Sequence, residues 1–210
     1  MKLIVANWKM NPASVAEAIE LAKATDYENL VICPPQQFSD AVKDTVRHAQ
    51  LGAQNYAPDL HERGVQYVII GHSDRRAEGE TNDIISEKLA LAVTDGLIPI
   101  LCVGENAEQK NRGQKEQTLA SQIKIGLSKI RNWKLEIGNG STSSPSRVES
   151  RDSKFEIFIA YEPVWAISTS PNAEPDTPED TTVTISFIKT ILEELDPNYQ
   201  VKFLYGGSVT

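Results

Sequence analysis

Glu162 stands in the string Ala160-Tyr161-Glu162-Pro163-Val164-Trp165-Ala166-Ile167, directly after an alternating apolar run from Phe155 to Ile159. That run reads as a strand, so the carboxylate falls where a strand gives way to a loop. Pro163 disfavours the helical region for the residue before it and keeps Glu162 extended. A carboxylate fixed at a stiff strand end beside Tyr161 and Trp165 suits a general base. Taken alone, a surface glutamate in an ordinary turn is an equal reading. Other strings also bear reactive groups: ANWKMN with Asn7 and Lys9, GHSDRR with His72 and Asp74, ILCVGE with Cys102 and Glu105, and LYGGSV with Gly206, Gly207 and Ser208. Each has a plain alternative. Lys9 reads equally as a solvated lysine and His72 as a satisfied histidine at a strand end. Glu105 fits a helix N-terminal acid, and Gly206 and Gly207 fit a tight turn.

The elements that must position these groups alternate in type. Strand-like runs occur at Leu3–Asn7, Asn29–Cys33, Leu51–Asn55, Tyr67–Gly71, Ile98–Val103, Phe155–Tyr161 and Val201–Tyr205. Several are continuously apolar, as in a parallel sheet covered by helices. Between them, Ser14-x-x-Glu17 reads as a capping box opening a helix that buries Val15, Ala18, Ile19 and Ala22. A second helix is expected from about Gln37 to His48. A third begins near Thr81, buries Ile85, Leu89, Ala92 and Val93, and ends at Gly96. A long helix is expected from Ala107 to Trp133. The last starts at Thr177-Pro178 and buries Ile188, Ile191, Leu192 and Leu195. This alternation means a parallel α/β fold. Open doubly wound sheets and closed barrels share the signal, although the first strand is not followed by GxGxxG.

The chain has 210 residues and a formal net charge of -8. The negative balance argues against nucleic acid or an anionic membrane as partner. No apolar run approaches the ~18 residues that span a bilayer, and the N-terminus lacks a signal-peptide pattern. Cys33 and Cys102 each lie at the end of an apolar run and read as reduced, buried thiols of a cytoplasmic protein, not as a disulfide or metal site. The Ser- and Gly-rich stretch at about 138–153 reads as an exposed insertion in a single domain spanning residues 1–210.

In their order, ANWKMN, GHSDRR, YEPVW and LYGGSV resemble the triosephosphate isomerase family along the whole chain. The resemblance implies a (β/α)8 TIM barrel, whose active site lies at the C-terminal ends of the strands. All the motifs fall at such ends. It also implies a cytoplasmic, glycolytic and gluconeogenic isomerase that interconverts dihydroxyacetone phosphate and glyceraldehyde 3-phosphate without metal or organic cofactor. In that reading Glu162 is the base and His72 a neutral electrophile, the established pattern of this family. Lys9 places positive charge near the substrate oxygens, and Asn7 helps hold Lys9. Ser168, Gly207 and Ser208 contact the phosphate, while Asp74, Cys102 and Glu105 support the site.

Four departures from the family pattern carry expectations. Residues 56–66 are too short for the family's third helix and the dimer loop before it, so its homodimer does not simply carry over. The eighth βα unit is not in the sequence, which fits a truncated gene model, an open barrel or a strand supplied by a partner. Loop six reads AISTSPNAEPD in place of a glycine-tipped lid, and Asp74 stands where the family has glutamate. These changes motivate a rival reading, a catalytically impaired homologue that acts as a binding protein or is a non-functional fragment.

Overall fold

The computed structural model describes residues 2–130, 156–167, 173–196 and 200–207. They belong to two compact units. One comprises Met1–Ile70 and Leu91–Pro99, the other Gly71–Ala90 and Ile100–Thr210.

The first unit opens with β1 (Ile4–Asn7), α1 (Val15–Ala24), β2 (Leu30–Cys33), a 3-10 turn (Gln36–Phe38), α2 (Ser39–Thr45), β3 (Gln50–Ala53) and β4 (Tyr67–Ile70). Its strands pair in parallel and in chain order, with Ile4 opposite Leu30, Val31 opposite Gln50 and Gly52 opposite Tyr67. β2 and β4 are buried along their length, as their unbroken apolar sequences require. The Ser14 hydroxyl accepts from Glu17 N, while the Glu17 carboxylate accepts from Ala13 N. The expected apolar face of α1 is narrower than its sequence pattern. Ala18 and Ala22 are buried, but Val15 is 48 % exposed and Ile19 only partly covered. α2 also stops short of His48. The Asp26 carboxylate accepts from the N–H groups of Arg47, His48 and Ala49, which pulls that backbone out of the helix. The short crossover before β4 holds turns instead of a helix, pinned by buried Leu60 and Val65.

The second unit contains α3 (Ser73–Ala77), most of α4 (Asn82–Thr94) and of β5 (Ile98–Val103), then α5 (Ala107–Asn111) and α6 (Lys115–Gly126). β6 (Ile157–Tyr161), a 3-10 turn (Val164–Ala166), α7 (Pro178–Leu195) and β7 (Val201–Tyr205) complete it. β5, β6 and β7 pair in parallel, with Val103 opposite Tyr161 and Tyr161 opposite Tyr205. The single long helix expected from Ala107 is two helices. Gly113 adopts φ +66, which ends α5, and Gln114 N returns to Gln109 O. α7 is capped by Thr177, whose hydroxyl accepts from Asp180 N. It buries Ile188, Ile191 and Leu192 as expected, while Leu195 is only partly covered and Thr184 joins the buried face.

The described residues thus carry seven strands of the all-parallel βα alternation expected of an incomplete (β/α)8 barrel. The insertion expected at about 138–153 lies outside them. No helix among them is long and apolar enough to cross a membrane.

Candidate active site

Glu162 follows the last residue of β6, and its own N–H donates to Val103 O at 2.8 Å. Backbone pairing therefore fixes the residue, and its side chain is only 7 % exposed. His72 lies just beyond β4 and is the N-cap of α3. The two side chains meet, with His72 Nε2 2.9 Å from Glu162 Oε1. The second carboxylate oxygen accepts from Ser73 N at 3.2 Å.

His72 Nδ1 lies 3.2 Å from the N–H of Asp74 in accepting geometry. That arrangement suits the imidazole tautomer that carries its proton on Nε2. This N–H is a donor that can hold an oxygen on which negative charge develops. The Glu162 carboxylate lies beside it. Asp74 is 60 % exposed in its side chain, and its Oδ2 lies 3.5 Å from His72 Nδ1.

Arg75 pairs with Glu78. The Arg76 guanidinium donates to Gly71 O at 2.7 Å, Cys102 O at 3.0 Å and Asn82 Oδ1 at 2.7 Å. A rigid fork of donors ties the strand end before His72 to the end of β5. Burial lowers its pKa, while Cys102, Glu162 and Glu80 act electrostatically in the opposite sense. The Cys102 thiol itself is buried and takes part in no disulfide among the described residues.

Glu105 is fully buried. Its carboxylate accepts from Trp165 Nε1 at 2.8 Å and lies 3.3 Å from the Tyr161 hydroxyl. Its carbonyl accepts from Val164 N at 3.0 Å. Burial first, and then the Glu105 charge, push the Tyr161 phenol above its ordinary value. Lys110 Nζ sits 3.0 Å from the centroid of the Trp165 ring, on the cation-attracting face of the indole. Glu105 thus fastens the chain that leaves Glu162. The cap of α5 is the next residue, Asn106. Gly206 N donates to Tyr161 O at 2.8 Å, which brings its backbone beside the Glu162 side chain.

In the first unit, Asn7 Oδ1 accepts from Lys9 N at 3.0 Å. Lys9 has φ 51, a left-handed conformation unfavourable for a side-chain-bearing residue. Gln54 Nε2 adds donations to Lys9 O and Cys33 O. Asn7 and Gln54 together hold a conformation that Lys9 would not choose alone. Gly207 is described, with its backbone against the Tyr205 ring. Ser168 and Ser208 lie outside the described residues. The sequence did not single out Gln54 or Gln122, because an isolated glutamine carries no motif.

The triosephosphate isomerase family model matches residues 2–210. The triosephosphate isomerases of Dictyoglomus thermophilum and of Clostridium botulinum strain Langeland are each 35 % identical to this chain, covering 99 % of it and 85 % and 84 % of their own lengths. That of Shewanella loihica is 33 % identical over 99 % of this chain and 83 % of its own. A match along the whole sequence, with the paired His72 and Glu162 at strand ends, means that the chain belongs to the triosephosphate isomerase family.

Proposed function

We propose that this chain interconverts dihydroxyacetone phosphate and D-glyceraldehyde 3-phosphate through an enediolate, a step of glycolysis and gluconeogenesis. The observation that supports this reading is the contact of His72 Nε2 with the Glu162 carboxylate at 2.9 Å, with Nδ1 accepting from the Asp74 N–H. Glu162 takes the proton from C1 of the ketose, and the C–H electron pair becomes the C1–C2 double bond. The carbonyl oxygen at C2 gains the charge, which the His72 N–H stabilises. Protonation at C2 and loss of the C1 hydroxyl proton give the aldose. The reaction is redox-neutral, and its chemistry calls for no electron carrier. Both oxygens of Glu162 are engaged at rest, so the base reaches substrate only after exchanging its bonds to His72 and Ser73 N.

By the family pattern, Lys9 offers positive charge to the substrate oxygens, and Asn7 maintains the backbone that presents it. Ser168, Gly207 and Ser208 serve the phosphate through backbone N–H groups. Asp74, Cys102 and Glu105 hold the surrounding backbone and charges. The chain works in the cytoplasm as one domain. The short 56–66 segment weakens the usual dimer contact; a stable dimer by light scattering overturns that part.

The test is isomerase turnover of the purified chain beside Glu162→Gln. Loss of the base lowers kcat by about 10²–10⁴-fold. Equal turnover in the two proteins overturns the assignment.

A further inference from the structure

Gly104 lies between two carbonyls that hold the chain around the base. Val103 O accepts from Glu162 N at 2.8 Å, and Glu105 O accepts from Val164 N at 3.0 Å. The N–H and C=O of Gly104 face away from these bonds, as alternate residues of a parallel strand do. Left unpaired in the interior, both groups would cost free energy. Gln122 on α6 pairs them both. Its Oε1 accepts from Gly104 N at 2.8 Å, and its Nε2 donates to Gly104 O at 3.0 Å. Gln122 is itself buried, at 8 % exposure. A carboxamide presents an acceptor and a donor side by side, the pattern that one peptide's N–H and C=O require.

Gly104 also touches the catalytic residue directly. A Cβ at this position would run into the Glu162 carbonyl. The missing side chain lets the two peptides pack against each other, so a shift of Gly104 moves Glu162. We infer that Gln122 is a positioning residue for the base, acting through the peptide of Gly104. The inference rests on the reading of Glu162 as that base.

The other side of Gln122 faces a polar cavity of about 360 Å³, shared with Arg76, Gln114, Gln117, Thr118 and Ser121. Water can enter there and replace a truncated amide, so Gln122→Ala is a weak test. Gln122→Met keeps the volume and removes both hydrogen bonds. Ile123 is a fully buried neighbour on the same helix, and Ile123→Val is the control for loss of packing.

Steady-state kinetics and proton NMR of the His72 Nε2–H are measured for the wild type and both variants. Gln122→Met lowers kcat by about ten- to a hundredfold, the scale of a displaced catalytic group, with KM within about twofold. Its His72 Nε2–H resonance shifts or broadens. Ile123→Val leaves the resonance and kcat near the wild type. Unchanged kcat with an unchanged resonance in Gln122→Met overturns the inference. So does an equal loss of kcat in Ile123→Val at the same unfolding midpoint. An inactive wild type whose resonance still responds to Gln122→Met overturns the isomerase reading and supports the positional coupling.

Discussion

The buried carboxylate of Glu105 accepts a hydrogen bond from the indole of Trp165 at 2.8 Å. An acid just past the end of β5 thereby holds the chain that leaves Glu162. Trp165→Phe removes the donor and leaves the buried Glu105 with less than its full set of partners. The expected cost is about 1–3 kcal/mol, read as a lower urea midpoint. A midpoint equal to the wild type would show that the bond contributes nothing net.

His72→Gln retains a side-chain amide but loses the imidazole fixed by the Asp74 N–H. A ring held at the cap of α3 is replaced by a flexible amide, and in the proposed mechanism stabilisation of the enediolate suffers. The expected loss in kcat is about 10²–10³-fold, with the circular dichroism spectrum unchanged. A loss below threefold would remove His72 from the mechanism.

Asp74 places its Oδ2 3.5 Å from His72 Nδ1 while remaining largely solvated. Asp74→Glu restores the longer acid of the family pattern and adds about one methylene of reach. Turnover is expected to be preserved or raised. A large loss would show that this site has adapted around the shorter side chain.

The Tyr56 hydroxyl donates to Asp95 at 2.7 Å, and burial followed by that bond raises its pKa to about 12. The unfolded phenol ionises near 10. The fold favours the protonated phenol, so this contribution is complete below about pH 10 and lost as pH rises toward about 12. Solvent reaches much of the ring, which keeps the effect small. The wild type should lose stability more steeply than Tyr56→Phe across that window in denaturant titrations. Parallel curves would refute the coupling.

The motif residues were legible because the chemistry constrains their types and the strand pattern constrains their places. Glu162 before Pro163 and His72 after an apolar strand mark strand ends in one dimension. Cap signals were equally readable, as Ser14 and Thr177 show. Periodicity misjudged what depends on distant groups. Asp26 draws residues 47–49 out of the second helix, and the neighbours of α1 leave Val15 exposed although its spacing is apolar. Gly113 was visible in the sequence, yet only its positive φ broke the long helix in two.

By itself the sequence determined the family and the parallel βα alternation, and it singled out Glu162 and His72 as the candidate base and imidazole. Tertiary structure decided how these groups are held. The tautomer of His72 depends on a helix N–H, the setting of Glu162 on the bare peptide of Gly104, and that peptide on Gln122 from a helix 18 residues away in sequence. Arg76 binds the carbonyls of Gly71 and Cys102 for the same reason. Buried backbone groups take whichever partner the packed chain brings within about 3 Å, and no local pattern of residues encodes that partner.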